Sequence, residues 1–153
     1  MKNVLLLNLG SPKSLQKKDV RDYLNEFLSD DNVIDLPKFF QQLILRCFIL
    51  PFRPAQAKEA YEQIWEKKGS PLILNTQKIC DALSVKTGWN VKIAMRYQFP
   101  SIKQAIEDFK KEKVSEIQVL SLYPHYAMST TLSTALEVKR VVKEIYPNLK
   151  LNF

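Results

Sequence analysis

The single histidine, His125, stands in the run Tyr123-Pro124-His125-Tyr126, with Ser129-Thr130-Thr131 close behind. An imidazole titrates near neutral pH, so a histidine at the end of a strand is a candidate base or metal ligand. Few other groups could share a metal with it. The two cysteines, Cys47 and Cys80, lie far apart among apolar neighbours, the pattern of reduced, buried thiols in a cytosolic protein. One histidine and two distant cysteines assemble no convincing metal site. Basic and aromatic chemistry is better represented. Arg53 stands between Pro51 and Pro54, and Arg96-Tyr97 closes an apolar run that begins at Val91. A polar pair at a strand end either lines a cleft or forms a structural ion pair.

The elements that must carry these residues can be read from periodicity. Val4 to Leu9 is a continuous apolar run, as in a strand buried on both faces of a parallel sheet. Gly10-Ser11-Pro12 breaks it. Val20, Tyr23, Leu24, Phe27 and Leu28 then share one helical face, ended by Ser29-Asp30-Asp31-Asn32. From Leu36 to Pro54 a helix would be apolar around most of its girth, with Pro51 and Pro54 closing it. A helix over 55–67 is expected next, with Ala57, Ala60, Tyr61, Ile64 and Trp65 on one face. Gly69-Ser70-Pro71 opens another, carrying Leu72, Ile79 and Leu83 and ending near Gly88. Val91 to Tyr97 reads as a strand, Ser101 as the N-cap of a helix through Phe109, and Ile117 to Tyr123 as a strand. A long helix from Ser129 to Tyr146 precedes a fourth strand opening at Leu149.

Strand–helix alternation with apolar strands implies an α/β fold, a parallel sheet flanked by helices. In such sheets ligands bind at the carboxyl ends of the strands. Leu9 to Pro12, Arg96 to Pro100 and Tyr123 to Thr131 occupy those ends, and the site is sought there. The net charge is +7, from 23 basic and 16 acidic residues. The lysines are scattered along helices, which is the habit of a solvated face, and no nucleic-acid-binding signature accompanies them. No nucleic-acid partner is expected. A nucleotide-binding domain would need a glycine-rich phosphate loop after the first strand, and this one holds a single glycine and a proline. The N-terminus shows no cleavage site, and no apolar run approaches the roughly 18 residues of a spanning helix.

Several blocks, taken in order, resemble ferrochelatases. They are Asn8-Leu9-Gly10-Ser11-Pro12, Tyr23-Leu24-Asn25-Glu26-Phe27-Leu28-Ser29-Asp30, and Tyr61 with Ile64-Trp65 and Gly69-Ser70-Pro71-Leu72. Met95-Arg96-Tyr97 with Pro100-Ser101-Ile102, and Tyr123-Pro124-His125-Tyr126 with Ser129-Thr130-Thr131, complete the set. The resemblance implies a Rossmann-like, chelatase-type fold built as two similar halves, of which residues 1–153 would be the N-terminal one. The chain would then end in or after its fourth strand, with the metal-handling half absent.

The activity implied is insertion of Fe2+ into protoporphyrin IX to form protohaem, with porphyrin and Fe2+ as substrates and no covalently bound cofactor. The resemblance assigns Arg53, Tyr61 and Ser70 to the porphyrin, the first through a propionate. It places Leu9 near the macrocycle centre, and Arg96 and Tyr97 in the cleft opposite the metal-inserting side. Read without it, Tyr61 is helix core and Ser70 a helix cap. The family's proton-accepting histidine belongs to a motif in the other half, so His125 is expected to fix its loop more readily than to catalyse. Relatives often carry a second glycine where Lys68 stands and a glycine where Gln98 stands.

A porphyrin is a flat apolar disc with anionic propionates, and needs an apolar cleft with a few cationic or hydroxyl groups. Phe39 to Phe52 suits a cleft lip touching the inner face of a membrane from the cytoplasm, the alternative being a buried core helix. The chain alone is expected to bind porphyrin without metallating it. The competing reading is a porphyrin- or haem-binding module that never metallates.

Overall fold

The computed structural model describes residues 2–153. In chain order its elements are β1 (Asn3–Asn8), α1 (Lys17–Leu28), α2 (Lys38–Ile44) running into a π-helical turn (Leu45–Ile49), α3 (Arg53–Ile64) and α4 (Pro71–Thr87). Then come β2 (Asn90–Met95), α5 (Ile102–Lys111), β3 (Glu116–Ser121), a second π-helical turn (Met128–Leu132), α6 (Ser133–Ile145) and β4 (Lys150–Asn152). The chain divides into two compact units, a sheet unit of residues 2–10 and 75–153 and a helical unit of residues 11–74.

In the sheet unit the strands run in the order β2-β1-β3-β4, every pair parallel. Val4 lies opposite Val91 on one side and Gln118 on the other, which aligns the carboxyl ends of the strands at one rim. Four consecutive apolar residues, Val4 to Leu7, are buried because β1 is central and covered on both faces. Leu5 and Leu7 join Ile117 and Val119 under α5 and α6, which contribute Ile102, Ile106, Phe109, Val138 and Val141. Val4 and Leu6 face the other way, toward Cys80 and Leu83 of α4 and toward Trp89. Full burial of each such side chain stabilises by about 1.5–3 kcal/mol. On β3 the second face is open, and Glu116, Gln118 and Leu120 are exposed between buried Ile117 and Val119.

Ser101 caps α5 as its position implied: its hydroxyl accepts the amide of Gln104 at 3.2 Å. The expected helix over 129–146 begins instead with a π-helical turn. There the Ala127 carbonyl accepts the amides of Thr130 and Leu132, and regular α-geometry starts only at Ser133.

In the helical unit α1 buries Val20 and Tyr23. Tyr23 stacks on Phe27 at 6.0 Å and meets Tyr61 edge-on at 6.2 Å, and Tyr61 meets Trp65 in the same way at 6.1 Å. The helix expected over 55–67 is shifted. Pro54 opens α3 where closure was expected, because its fixed φ and missing amide suit a first turn. Trp65 leaves the helix with extended backbone, followed by a tight turn in which Glu66 and Gly69 exchange amide–carbonyl bonds and Gly69 takes φ +125°. Ala60 and Ile64, expected on the packed face, are exposed.

Phe39 and Phe52 are each 73% exposed, and Phe40, Leu43, Ile44 and Phe48 also face outward. The buried side chain of α2 is Gln41, whose amide donates to the carbonyls of Asp30 and Ile34 at 3.4 and 3.2 Å. Cys47, expected to be buried, lies exposed on this same apolar segment, whereas Cys80 is buried as anticipated. The apolar residues around Cys47 are divided, with Leu45 and Leu50 buried and Leu43, Ile44 and Phe48 facing outward, so apolar neighbours alone do not fix its side. Among the described residues no helix is long and apolar enough to cross a membrane.

Candidate functional site

At the rim of the sheet unit three strand ends are tied together. Beyond β1, the amides of Arg96 and Tyr97 donate to the carbonyls of Asn8 and Leu9 at 2.8 and 2.9 Å, so the loop after β1 and the loop after β2 run side by side. The Asn8 side chain accepts the Leu9 amide at 2.9 Å and donates to the Thr76 hydroxyl on α4 at 3.1 Å. Gly10 is required here. It adopts φ +106°, and a Cβ on it would overlap the Tyr97 carbonyl oxygen. Leu9 is held half-buried at this point.

Beyond β2, the Arg96 guanidinium lies over the Tyr97 ring, 4.5 Å from its centroid, a cation–π contact. Its Nε donates to Ser133 Oγ at 2.8 Å, and the same hydroxyl lies 3.5 Å from the Tyr97 phenol oxygen. Tyr97 is buried and Arg96 half-buried. Beyond β3, the Leu122 amide continues the ladder to Leu7, and the Tyr123 hydroxyl pairs with Thr134 Oγ1 at 2.9 Å. Burial pushes the Tyr123 phenol up, against the Thr134 hydrogen bond and the nearby Arg96 charge, which pull it down. Arg96 and Tyr97 pack on each other through the guanidinium and the ring. They form a cation, a ring and two hydroxyls locked into one network.

His125 is exposed on the loop beyond Tyr123 and makes no hydrogen bond among the described residues. Neither a base role nor a loop-fixing role finds it a partner there. Among the described residues no group of three or more His, Cys, Asp or Glu could hold a metal ion.

The remaining candidates lie in the helical unit. Arg53 is the exposed first residue of α3, its guanidinium 3.5 Å from Gln56 Oε1. It lines a cavity of about 460 Å3 walled by Leu28, Phe48, Ile49 and Phe52, an apolar hollow with one cation at its edge. Tyr61 is half-buried, and burial raises its phenol pKa against a hydrogen bond to Tyr23. Ser70 is buried immediately before Pro71, and its carbonyl receives the Leu74 amide at 3.0 Å, so it begins α4 as a cap would.

The structure therefore gathers Leu9, Arg96 and Tyr97 at one rim and sets Arg53, Tyr61 and Ser70 in the other unit. Ser133, Thr134 and Thr76 escaped the sequence reading. Each is a hydroxyl on a helix, where serine and threonine ordinarily look like solvated filler. Their near-complete burial marks them only once the helices are docked.

The family profile described as Ferrochelatase matches residues 1–153. A ferrochelatase of Stutzerimonas stutzeri is 40% identical over 152 residues, covering 97% of this chain and 44% of that protein. One of Idiomarina loihiensis is 42% identical over 137 residues, covering 86% of this chain and 38% of its own length. A coproporphyrin III ferrochelatase of Lactococcus lactis is 39% identical over 145 residues, covering 94% and 46% respectively. The chain spans less than half the length of these curated relatives.

Proposed function

The chain belongs to the ferrochelatase family, and on that premise we propose that it supplies porphyrin-gripping residues for the insertion of Fe2+ into protoporphyrin IX. The observation that carries the reading is the locked rim, in which Arg96, Tyr97 and Tyr123 are anchored to the start of α6 at the carboxyl ends of parallel strands. That is where an open α/β sheet takes its ligand. A rigid aromatic–cationic floor suits a flat, electron-rich macrocycle, since the groups that touch it need not be ordered on binding.

Leu9 offers an apolar side chain beside that floor. In the helical unit, Arg53 at the mouth of its apolar hollow is suited to a propionate, because a guanidinium fork matches a carboxylate in geometry and charge. Tyr61 and Ser70 are proposed as further porphyrin contacts, each with a hydroxyl to offer. The outward phenylalanines of α2 and its π-helical turn, with Lys38 and Arg46 beside them, suit a lip that also rests on the inner face of a membrane from the cytoplasm.

In the full reaction Fe2+ is the second substrate. The residues of this chain bind and orient the macrocycle, and the chain alone is proposed to bind porphyrin without metallating it. Titrating the chain with protoporphyrin IX is expected to shift the porphyrin's main absorbance band and quench its emission. No spectral change with any porphyrin would overturn the reading. Turnover in an iron- or zinc-insertion assay by this chain alone would overturn the division of labour. The name of the Lactococcus relative makes coproporphyrin III the second substrate reading, and parallel titrations with the two porphyrins decide between them by relative affinity.

A further inference from the structure

The first two residues of α6 are consecutive hydroxyls that serve different strand ends. Ser133 is 1% exposed and Thr134 fully buried. Successive helical residues point about 100° apart, and these two diverge accordingly. Ser133 Oγ accepts Arg96 Nε beyond β2, with the Tyr97 phenol 3.5 Å away, and Thr134 Oγ1 pairs with the Tyr123 phenol beyond β3. Strands β2 and β3 are not neighbours, because β1 runs between them. The start of α6 therefore bridges the rim across β1. A guanidinium is planar, so fixing its Nε–H leaves its plane little freedom to turn. Stacking on the Tyr97 ring at 4.5 Å then fixes which face it shows.

We infer that Ser133 and Thr134 are positioning residues of the porphyrin-binding rim, Ser133 setting the plane of the Arg96 guanidinium over Tyr97 and Thr134 setting the Tyr123 ring. The inference rests on the porphyrin reading above. Neither hydroxyl touches the ligand; each acts through the side chain it holds. The preceding π-helical turn, Met128–Leu132, ends where Ser133 begins α6.

The test is porphyrin affinity by fluorescence quenching of the 153-residue chain, with thermal melting and the Arg96 Nε–H NMR resonance as companions. Ser133→Ala is expected to weaken protoporphyrin binding about tenfold, as loss of a charge-assisted hydrogen bond should, and to shift the Arg96 resonance. Thr134→Val is expected to cost about threefold and Thr134→Ser to restore the parent affinity. In an Arg96→Ala background, Ser133→Ala should add nothing further, because its effect passes through Arg96. A full additional tenfold loss there would mean a merely structural role and overturn the proposal. So would parent-like affinity of Ser133→Ala. If Ser133→Ala does not fold, Ser133→Cys keeps the volume with a much weaker acceptor and is expected to show the same loss; parent-like binding by that variant likewise refutes the inference. A parent chain that binds porphyrin while Ser133→Ala matches it sinks this inference alone, whereas a parent chain that binds no porphyrin sinks the functional reading and the inference with it.

Discussion

Helix α5 and the segment from α2 through its π-helical turn are both rich in apolar residues, and they use them in opposite ways. In α5, Ile102, Ala105, Ile106 and Phe109 are buried and the lysines face water. In the α2 segment the phenylalanines face water and Gln41 is inside, holding two backbone carbonyls. The first arrangement derives its stability from apolar burial. The second is held by the Gln41 hook and by Leu45, fully buried in its π-helical turn, and leaves its phenylalanines uncovered.

The contrast can be broken most severely in the sheet unit. Leu5→Ala, beneath α5 and α6, is expected to destabilise by about 2–5 kcal/mol, measured by urea unfolding. Gln41→Ala should cost about 1–3 kcal/mol, because a buried side chain and its two hydrogen bonds to the Asp30 and Ile34 carbonyls are lost. Phe39→Ser is expected to change stability by no more than about 0.5 kcal/mol while reducing retention on an apolar surface. If it destabilised as much as Leu5→Ala, the claim that this face is not core would be lost.

The smallest effect is a matter of pH. Tyr61 and Tyr123, one in each unit, are both raised by burial. Their contribution to stability is fully present below the ordinary phenol pKa of about 10 and is lost as pH rises through the higher folded values. Ultraviolet titration should show two late-ionising phenols, and Tyr123→Phe and Tyr61→Phe should each remove one. A phenol ionising in the ordinary range at either position would show that burial does not control it.

Much of this was legible without coordinates. The buried run Val4 to Leu7, the Ser101 cap and the clean face of α5 are local signals, because period and capping chemistry are properties of a few adjacent residues. The rim segments Leu9 to Pro12, Arg96 to Pro100 and Tyr123 to Thr131 came from strand ends alone. Element ends at proline were less legible. Pro51 and Pro54 look alike in sequence, yet Pro54 opens α3, since a proline both terminates the segment before it and fits the first turn of the next helix. The girth of the α2 segment was equally silent about direction, because a helix apolar nearly all round has no single face to read.

What the sequence by itself determined is the set of elements, their order and the parallel sheet they must form, since hydrophobic period and turn residues act over a few positions. Docking decided the rest. It alone set Ser133 against Arg96, 37 residues apart, and Asn8 against Thr76, 68 apart. It also turned Phe39 outward and Gln41 inward. Hydrogen bonds across such separations depend on how strands and helices pack, and no local pattern of residue types encodes that.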